Sequence, residues 1–342
     1  MKIFKVGIIG CGNIFPMHAQ SINTLDNARV VCVCDIKEDR AKVKAEQYDC
    51  AYYTDYKEML LKAEIDVVHI CLPHYLHAEV AIYAAKHGKH VLTEKPMSIN
   101  LIDAENMILA AKDNKVSLGV IFQNRYNPGS QLIKNTLDSG GLGKILSGKL
   151  EVTWNRSDEY YSHSDWKGTW EKEGGGVIID QAIHTMDLMS WFVNCDIDYI
   201  DASISNRAHE IIQVEDCAEG IIKYKNGVVT AFHAINYYTY DAPVEIELHC
   251  ENGIATMVGD RAHIVFTDGR ELIADSNPHE TFDYGNGAKG YWGISHSKQI
   301  KNYYHALRLG IEPDINGEQA IKTQRIICSI YESGKKRVKI KL

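Results

Sequence analysis

The chain has 342 residues, which at roughly 150 residues per domain points to about two domains. With Lys+Arg at 37 and Asp+Glu at 45 the formal charge is −8, so electrostatics offer no basis for binding nucleic acid or an anionic membrane. No apolar run reaches the roughly 18–20 residues of a membrane-spanning helix, and Phe4-Lys5-Val6 enters strand-like sequence without a signal-peptide pattern; the expectation is a soluble, cytoplasmic protein.

The first 123 residues alternate short apolar runs with amphipathic stretches. Val6–Ile9, Val30–Cys34, Val67–Cys71, His90–Leu92 and Val116–Ile121 are too short for helices, and near-continuous apolarity marks strands buried on both faces. Between them Glu38–Gln47, Tyr56–Leu61, Ala78–His87 and Leu101–Lys112 carry helical periodicity, the last with Asn100 as cap. This βαβα rhythm predicts a doubly wound parallel sheet over residues 1–123.

After Asn127-Pro128-Gly129 the pattern changes. A helix over Ser130–Ser139, a strand over Ile145–Trp154, and a helix from Gly174-Gly175-Gly176 to about Phe192 are predicted. From Tyr199 to Phe266 strand follows strand, with Asn-Gly turns at Asn226-Gly227 and Asn252-Gly253. Helices at Ser295–Leu309 and Glu318–Ser333 and a short terminal strand close the chain. Residues 124–342 therefore read as an α+β domain with a large, mostly antiparallel open sheet. Its apolar strands predict a sheet that seeks a partner, hence a homodimer or homotetramer.

The nine cysteines are scattered without a CxxC pair or zinc-like spacing. They read as small hydrophobes of a reducing compartment, and no metal site is expected. His74 and His77 have no third ligand nearby in the sequence.

Gly10-Cys11-Gly12-Asn13-Ile14-Phe15 sits between the first strand and the first helix. Gly10 permits a tight turn and Gly12 a close backbone approach to a pyrophosphate at the helix N-terminus. Phe15 replaces the third glycine of the dinucleotide fingerprint. Asp35 ends the second strand about 20 residues further on, where a ribose-binding carboxylate belongs. A carboxylate there accepts from both ribose hydroxyls of NAD and repels the 2′-phosphate of NADP, although Lys37 and Arg40 stand close by in the sequence.

Thr93-Glu94-Lys95-Pro96 follows the fifth strand, at the carboxyl edge where open α/β sheets bind ligands. In the predicted helix after the three glycines, Asp180, His184 and Asp187 fall at i, i+4 and i+7 and share one face. An imidazole beside a carboxylate suits proton transfer. Residues 154–170 hold three of the five tryptophans, Trp154, Trp166 and Trp170, with Arg156, Tyr160, Tyr161 and His163. Flat faces beside polar tips suit a sugar or cyclitol ring, and core or subunit packing explains them equally well. Tyr291-Trp292 and His296 form a second aromatic cluster.

Gly-Cys-Gly-Asn-Ile at 10–14, Cys71-Leu72-Pro73 with His77, Glu94-Lys95-Pro96, the GGGxxxDxxxHxxD segment and the Gly317–Gly334 ending together resemble the Gfo/Idh/MocA family of NAD(P)-dependent oxidoreductases, over essentially the whole chain. The resemblance implies a catalytic set of Lys95, Asp180 and His184. It implies cofactor contacts from Gly10, Gly12, Asn13, Ile14, Asp35, Cys71, Leu72, Pro73, His77, Glu94 and Lys95, with Trp154, Arg156, Trp166, Asp180 and His184 facing substrate. The expected reaction moves a hydride between a secondary hydroxyl of a sugar, sugar derivative or cyclitol and the nicotinamide. His184 serves as base, Lys95 as the cation beside the alkoxide and Asp180 as the orienting group. Glycoside cleavage by transient C3 oxidation and elimination uses the same residues and is the first alternative. A non-catalytic nucleotide-binding regulator is the second, against which the retained triad argues.

Overall fold

In the computed structural model, which describes residues 2–275, 282–284 and 294–342, the predicted apolar runs of the N-terminal region become strands. These are β1 (Phe4–Ile9), β2 (Ala28–Cys34), β4 (Val67–Ile70), β5 (His90–Thr93) and β6 (Leu118–Val120), with a short, largely exposed β3 (Ala51–Tyr53) that no apolar run announces. Helices α1 (Phe15–Asn23), α2 (Glu38–Tyr48), α3 (Tyr56–Lys62), α4 (His77–Lys86) and α5 (Leu101–Asp113) connect them. The strand order is β3-β2-β1-β4-β5-β6 and every pairing is parallel. Order reverses between β1 and β4, the switch point at which doubly wound sheets hold ligands at their carboxyl ends.

Beyond this region come α6 (Pro128–Asp138), β7 (Ile145–Thr153), α7 (Asp158–Ser162), α8 (Val177–Asp180), α9 (Ile183–Val193), β8 (Ile197–Ser205), β9 (Cys217–Tyr224), β10 (Val229–Ile235), β11 (Glu245–Cys250), β12 (Gly253–Val258), β13 (Arg261–Phe266) and β14 (Glu271–Ala274). Then follow α10 (Ser295–Leu309), α11 (Gly317–Lys336) and β15 (Ile340–Lys341). Nine strands form one sheet in the order β14-β13-β12-β11-β7-β10-β9-β8-β15, antiparallel throughout except where β7 meets β10. Both Asn-Gly pairs sit at hairpin turns, between β9 and β10 and between β11 and β12. Ile254, Val258, Val265, Leu272 and Ile273 remain exposed on β12–β14.

Two compact units result, Met1–Gln123 with His279–Ile321 and Asn124–Pro278 with Lys322–Leu342. The division departs from a single cut after residue 123 because α10 belongs with the parallel sheet. Ile300, Tyr303 and Tyr304 enter the same core as Phe4, Val6 and Leu92. Gln299 satisfies the end of β6, donating to the Val120 carbonyl at 2.7 Å and accepting from the Phe122 N–H at 3.0 Å. Among the described residues no helix is long and apolar enough to cross a membrane.

One expected element is broken in two. The helix predicted from the glycine triplet to Phe192 is interrupted at Gln181-Ala182, where the N–H groups of both residues converge on the Val177 carbonyl. Glu215, from the loop before β9, enforces the entry to α8. Its carboxylate accepts the N–H groups of Gly176 at 2.9 Å and Ile178 at 3.1 Å and the Tyr331 hydroxyl at 2.9 Å. A Cβ on Gly176 would lie 1.9 Å from the Glu215 carbonyl, and one on Gly175 2.0 Å from the Tyr331 hydroxyl. The glycines are required by close approach. Burial pushes the Glu215 carboxyl up to about 7, with its three donors opposing. Glu173, just before the triplet, is pushed up to about 8 by burial and by the neighbouring Asp180 charge, against the pull of Lys167.

The break leaves Asp180 at the end of α8 and both His184 and Asp187 on α9, so the three do not share one face of a continuous helix. Asp187 is buried in a bidentate pair with Arg125, Nε and Nη2 each at 2.7 Å, and accepts the Thr323 hydroxyl at 2.7 Å. Its role is structural. Removing one partner of a buried pair typically costs about 3–5 kcal/mol. Asp187→Ala should therefore lower the unfolding free energy by that order in denaturant titrations, and Asp187→Leu with Arg125→Met should recover much of the loss.

Glu173 gives a pH signature. Its folded-state pKa lies above the ordinary carboxylate range near about 4.3, so the stability it contributes is complete below that range and is lost as pH rises towards about 8. The thermal midpoint should fall across this window and level off above it. Glu173→Gln should flatten the fall; an unchanged slope in that variant would assign it to another group.

Candidate functional site

In the first unit the loop after β1 is shaped by its glycines. Gly10 has φ +99°, and a Cβ there would lie 2.2 Å from the Cys71 carbonyl oxygen, so the loops after β1 and β4 touch only because Gly10 has no side chain. A Cβ on Gly12 would meet nothing within 4 Å, which leaves open space over that backbone. Helix α1 starts at Phe15 with no side-chain cap and no acidic residue in its first turn; Pro16 has no N–H, and the Phe15 and Met17 N–H groups turn back to the Gly12 and Ile14 carbonyls, so it is the positive end of the helix dipole that the turn offers an anion. Phe15, in place of the third glycine, is fully buried and packs edge-on against Tyr48 at 5.5 Å.

Asp35 closes this loop. One carboxylate oxygen accepts the Cys11 N–H at 3.0 Å and the other the Lys37 N–H at 2.8 Å. The carboxylate is fixed at the end of β2, while Lys37 and Arg40 are exposed. Gly10, Gly12, Asn13, Ile14 and Asp35 thus form one cradle at the carboxyl edge of β1 and β2.

Cys71-Leu72-Pro73 leads from β4 into α4. Cys71 is buried, and burial holds its thiol well above the ordinary range. His77 is fully buried, with Nε2 at 2.8 Å from the Leu72 carbonyl and Nδ1 at 2.7 Å from the Pro96 carbonyl. Its ring lies between carbonyls of the loops after β4 and β5, and as a neutral imidazole it donates to one of the two at a time. Glu94 is buried, its Oε2 accepting the Lys95 N–H at 3.2 Å. Its Oε1 takes the ring of His18 at 2.9 Å and of His296 at 3.4 Å. His296 is thereby a buried partner of Glu94 and not a substrate aromatic. Tyr291-Trp292 lies outside the described residues.

In the second unit Asp180 is the hub. Its Oδ2 accepts from the Tyr160 hydroxyl at 2.7 Å, Lys167 Nζ at 2.6 Å and Gln181 Nε2 at 2.8 Å. Lys167 Nζ also bonds the Tyr160 hydroxyl and lies over the rings of Tyr160 at 4.5 Å and Trp166 at 4.6 Å. The Arg156 guanidinium stands over Trp154 at 5.0 Å and Tyr160 at 5.3 Å and pairs with Asp241 at 2.9 Å. Burial, then the Asp180 charge, holds the Tyr160 phenol well above its ordinary range, so it stays a donor. His184 is half-buried near the start of α9.

The structure thus connects Trp154, Arg156 and Trp166 to Asp180 through Tyr160 and Lys167. Trp170 and Tyr161 pack instead with Ile212 and Val214. Lys167 was not singled out in the sequence; its only signal is a place beside Trp166. A Cys217, Glu219, His233 group on β9 and β10 brings ligand-type atoms within 4.8 Å of one another, but Arg207 already holds Glu219 at 2.8 Å.

The cradle fits a dinucleotide: an uncapped helix start, an open approach over Gly12, and a fixed carboxylate at the ribose position. Residues 4–122 match the model of an oxidoreductase family with an NAD-binding Rossmann fold, and residues 130–256 match the GFO/IDH/MocA C-terminal domain. The myo-inositol 2-dehydrogenase of Thermotoga maritima is 25% identical over 323 residues, 92% of this chain and 91% of that one. The glucose-6-phosphate 3-dehydrogenase of Bacillus subtilis is 29% identical over 232 residues, 66% of this chain and 65% of the other. The WlbA dehydrogenase from Bordetella pertussis, solved with NADH and UDP-GlcNAcA, superposes with a TM-score of 0.88 at 25% identity, covering 100% of this chain and 98% of that one. With both family regions matched in order along one chain, this protein belongs to the Gfo/Idh/MocA family of NAD-binding oxidoreductases.

Proposed function

We propose that this enzyme oxidises a secondary hydroxyl of a sugar, sugar derivative or cyclitol, with Lys95, Asp180 and His184 as its catalytic set. The observation that carries this reading is the cluster around Asp180, where a carboxylate, a lysine, a phenol and an arginine lie among aromatic faces. Such a surface offers donors and acceptors to a rim of hydroxyls and flat rings to C–H faces. The named relatives, which act on inositol and on a sugar phosphate, support the substrate class.

Bound NAD, held by the Gly10–Ile14 loop and Asp35, supplies the hydride acceptor. His184 takes the hydroxyl proton. Three hydrogen bonds to Oδ2 hold the Asp180 carboxylate in a fixed orientation, which suits it to orienting the substrate. Lys95 stabilises the negative charge that develops on the substrate oxygen.

NADH formation over a panel of myo-inositol, free aldoses, sugar acids and methyl glycosides tests the reading and separates net oxidation from glycoside cleavage. Loss of a general base costs about 10²–10⁴-fold. His184→Ala should lower turnover by that order and leave the NAD dissociation constant within a few-fold. Lys95→Ala should be comparably severe, and the double variant less than additive. Near-normal turnover in His184→Ala would place the base elsewhere.

The nucleotide preference has its own test. Asp35→Ser removes a carboxylate whose interactions with ribose hydroxyls are worth roughly 1.5–3 kcal/mol. The NAD-to-NADP affinity ratio should fall by about 10-fold or more in titrations with both nucleotides. Tighter NADP binding by the unaltered protein would overturn the assignment.

A further inference from the structure

Glu94 has no proton to give or take in the reaction above, yet the first unit surrounds it with histidines. His18 Nε2, on α1, lies 2.9 Å from Glu94 Oε1. His18 Nδ1 faces His69 Nδ1, on β4, at 2.8 Å, and His69 Nε2 lies 2.9 Å from the Tyr304 hydroxyl on α10. His18, His69 and Tyr304 are fully buried. We propose that the chain Tyr304–His69–His18–Glu94 is a positioning device, polarised in one direction, that fixes Glu94 as a carboxylate and through it the backbone that carries Lys95. This deepens the reading of Lys95 and rests on it.

Hydrogen-bond logic sets the direction. Glu94 accepts from His18, from His296 at 3.4 Å and from the Lys95 N–H at 3.2 Å, a donor set that matches an ionised carboxylate. His18 must then carry its proton on Nε2 and present the Nδ1 lone pair. His69 donates from Nδ1 and accepts the Tyr304 O–H on Nε2. In this arrangement every polar atom of the chain is satisfied with both rings neutral.

Burial favours neutrality, lowering His18 and holding His69 well below the ordinary histidine range. Burial alone would raise Glu94, but the hydrogen bonds from His18 and His296 hold it well below the carboxylate range. The titratable groups around Glu94 are His18 from α1, His69 and Cys71 at β4, His77 from α4, His296 from α10, and Lys95 next in sequence.

The chain is not a route for protons to bulk water. Tyr304 is fully buried, stacked on His69 at 5.8 Å and beside Phe4 at 5.8 Å. A hydrogen-bonded line that ends in the core holds charge in place.

Nitrogen-15 histidine NMR of the full chain at pH 7 reads the tautomers without substrate. His69 should be protonated on Nδ1, the minor tautomer in water, and His18 on Nε2; an imidazolium at either, or His69 protonated on Nε2 alone, overturns the direction. His18→Leu should speed hydrogen exchange of the Lys95 amide about 10-fold while β1 amides keep their protection. His18→Gln, which retains a donor, should restore it.

Turnover on the most active panel compound should fall about 10²-fold in His18→Leu, the scale of a small misplacement. Its acid limb should move to higher pH as Glu94 protonates more readily. Tyr304→Phe, which keeps the ring packing, removes the O–H that His69 Nε2 accepts and so weakens the far end of the chain; it provides a second variant. Unchanged amide exchange and pH profile in folded His18→Leu and Tyr304→Phe, with Lys95→Ala inactive, overturns the positioning device alone. Full turnover in Lys95→Ala overturns the reading of the lysine instead.

Discussion

A carboxylate removed from water must find donors or give up its charge, and the functional loops of both units are arranged around that requirement. Glu94 keeps its charge because histidines from α1 and α10 point N–H groups at it. Glu215 and Glu173 face weaker compensation, and burial pushes both up. The difference matters for geometry. Glu94 holds the start of the Lys95 loop by accepting its N–H, whereas Glu215 gathers the N–H groups of the glycine turn at the entry to α8.

How much of this is legible in sequence follows from the range of each interaction. The parallel sheet and the phosphate loop are written locally, as apolar runs and a glycine pattern in consecutive residues, and both appear where the runs place them. β3 escapes because a short edge strand needs no continuous apolar face. The entry to α8 is held by Glu215, 39 residues from Gly176, and periodicity contains no trace of it. The same distance problem hides the histidine chain, since His69 meets Tyr304 across 235 residues. A histidine in an apolar strand reads as an oddity until its partner is known.

The site residues divide along the same line. Asp35 is legible because the fingerprint fixes its distance from the loop. The shared face of Asp180, His184 and Asp187 is misread because i, i+4 and i+7 relations hold only in an unbroken helix; the Asp187 carboxylate belongs to Arg125 and Thr323. Lys167 is invisible because its meaning comes from contact with Asp180, Tyr160 and Trp166 together. Composition drew attention to the aromatic segment as a whole. It had no means of separating Trp166, over which the lysine lies, from Trp170, which packs edge-on against Tyr331.

Lys167 also changes what Asp180 is able to do. Without it, a half-buried carboxylate one turn before His184 competes for the role of base. With an ammonium, a phenol and an amide all donating to one oxygen, that oxygen is held in place by fixed donors. Charge that is held this firmly orients well and moves protons poorly. The imidazole of His184 is the group in this segment whose ordinary pKa, about 6.5, lies nearest neutrality. The arrangement around Asp180 therefore supports the proposed division of labour, in which the carboxylate orients the substrate and His184 takes the proton.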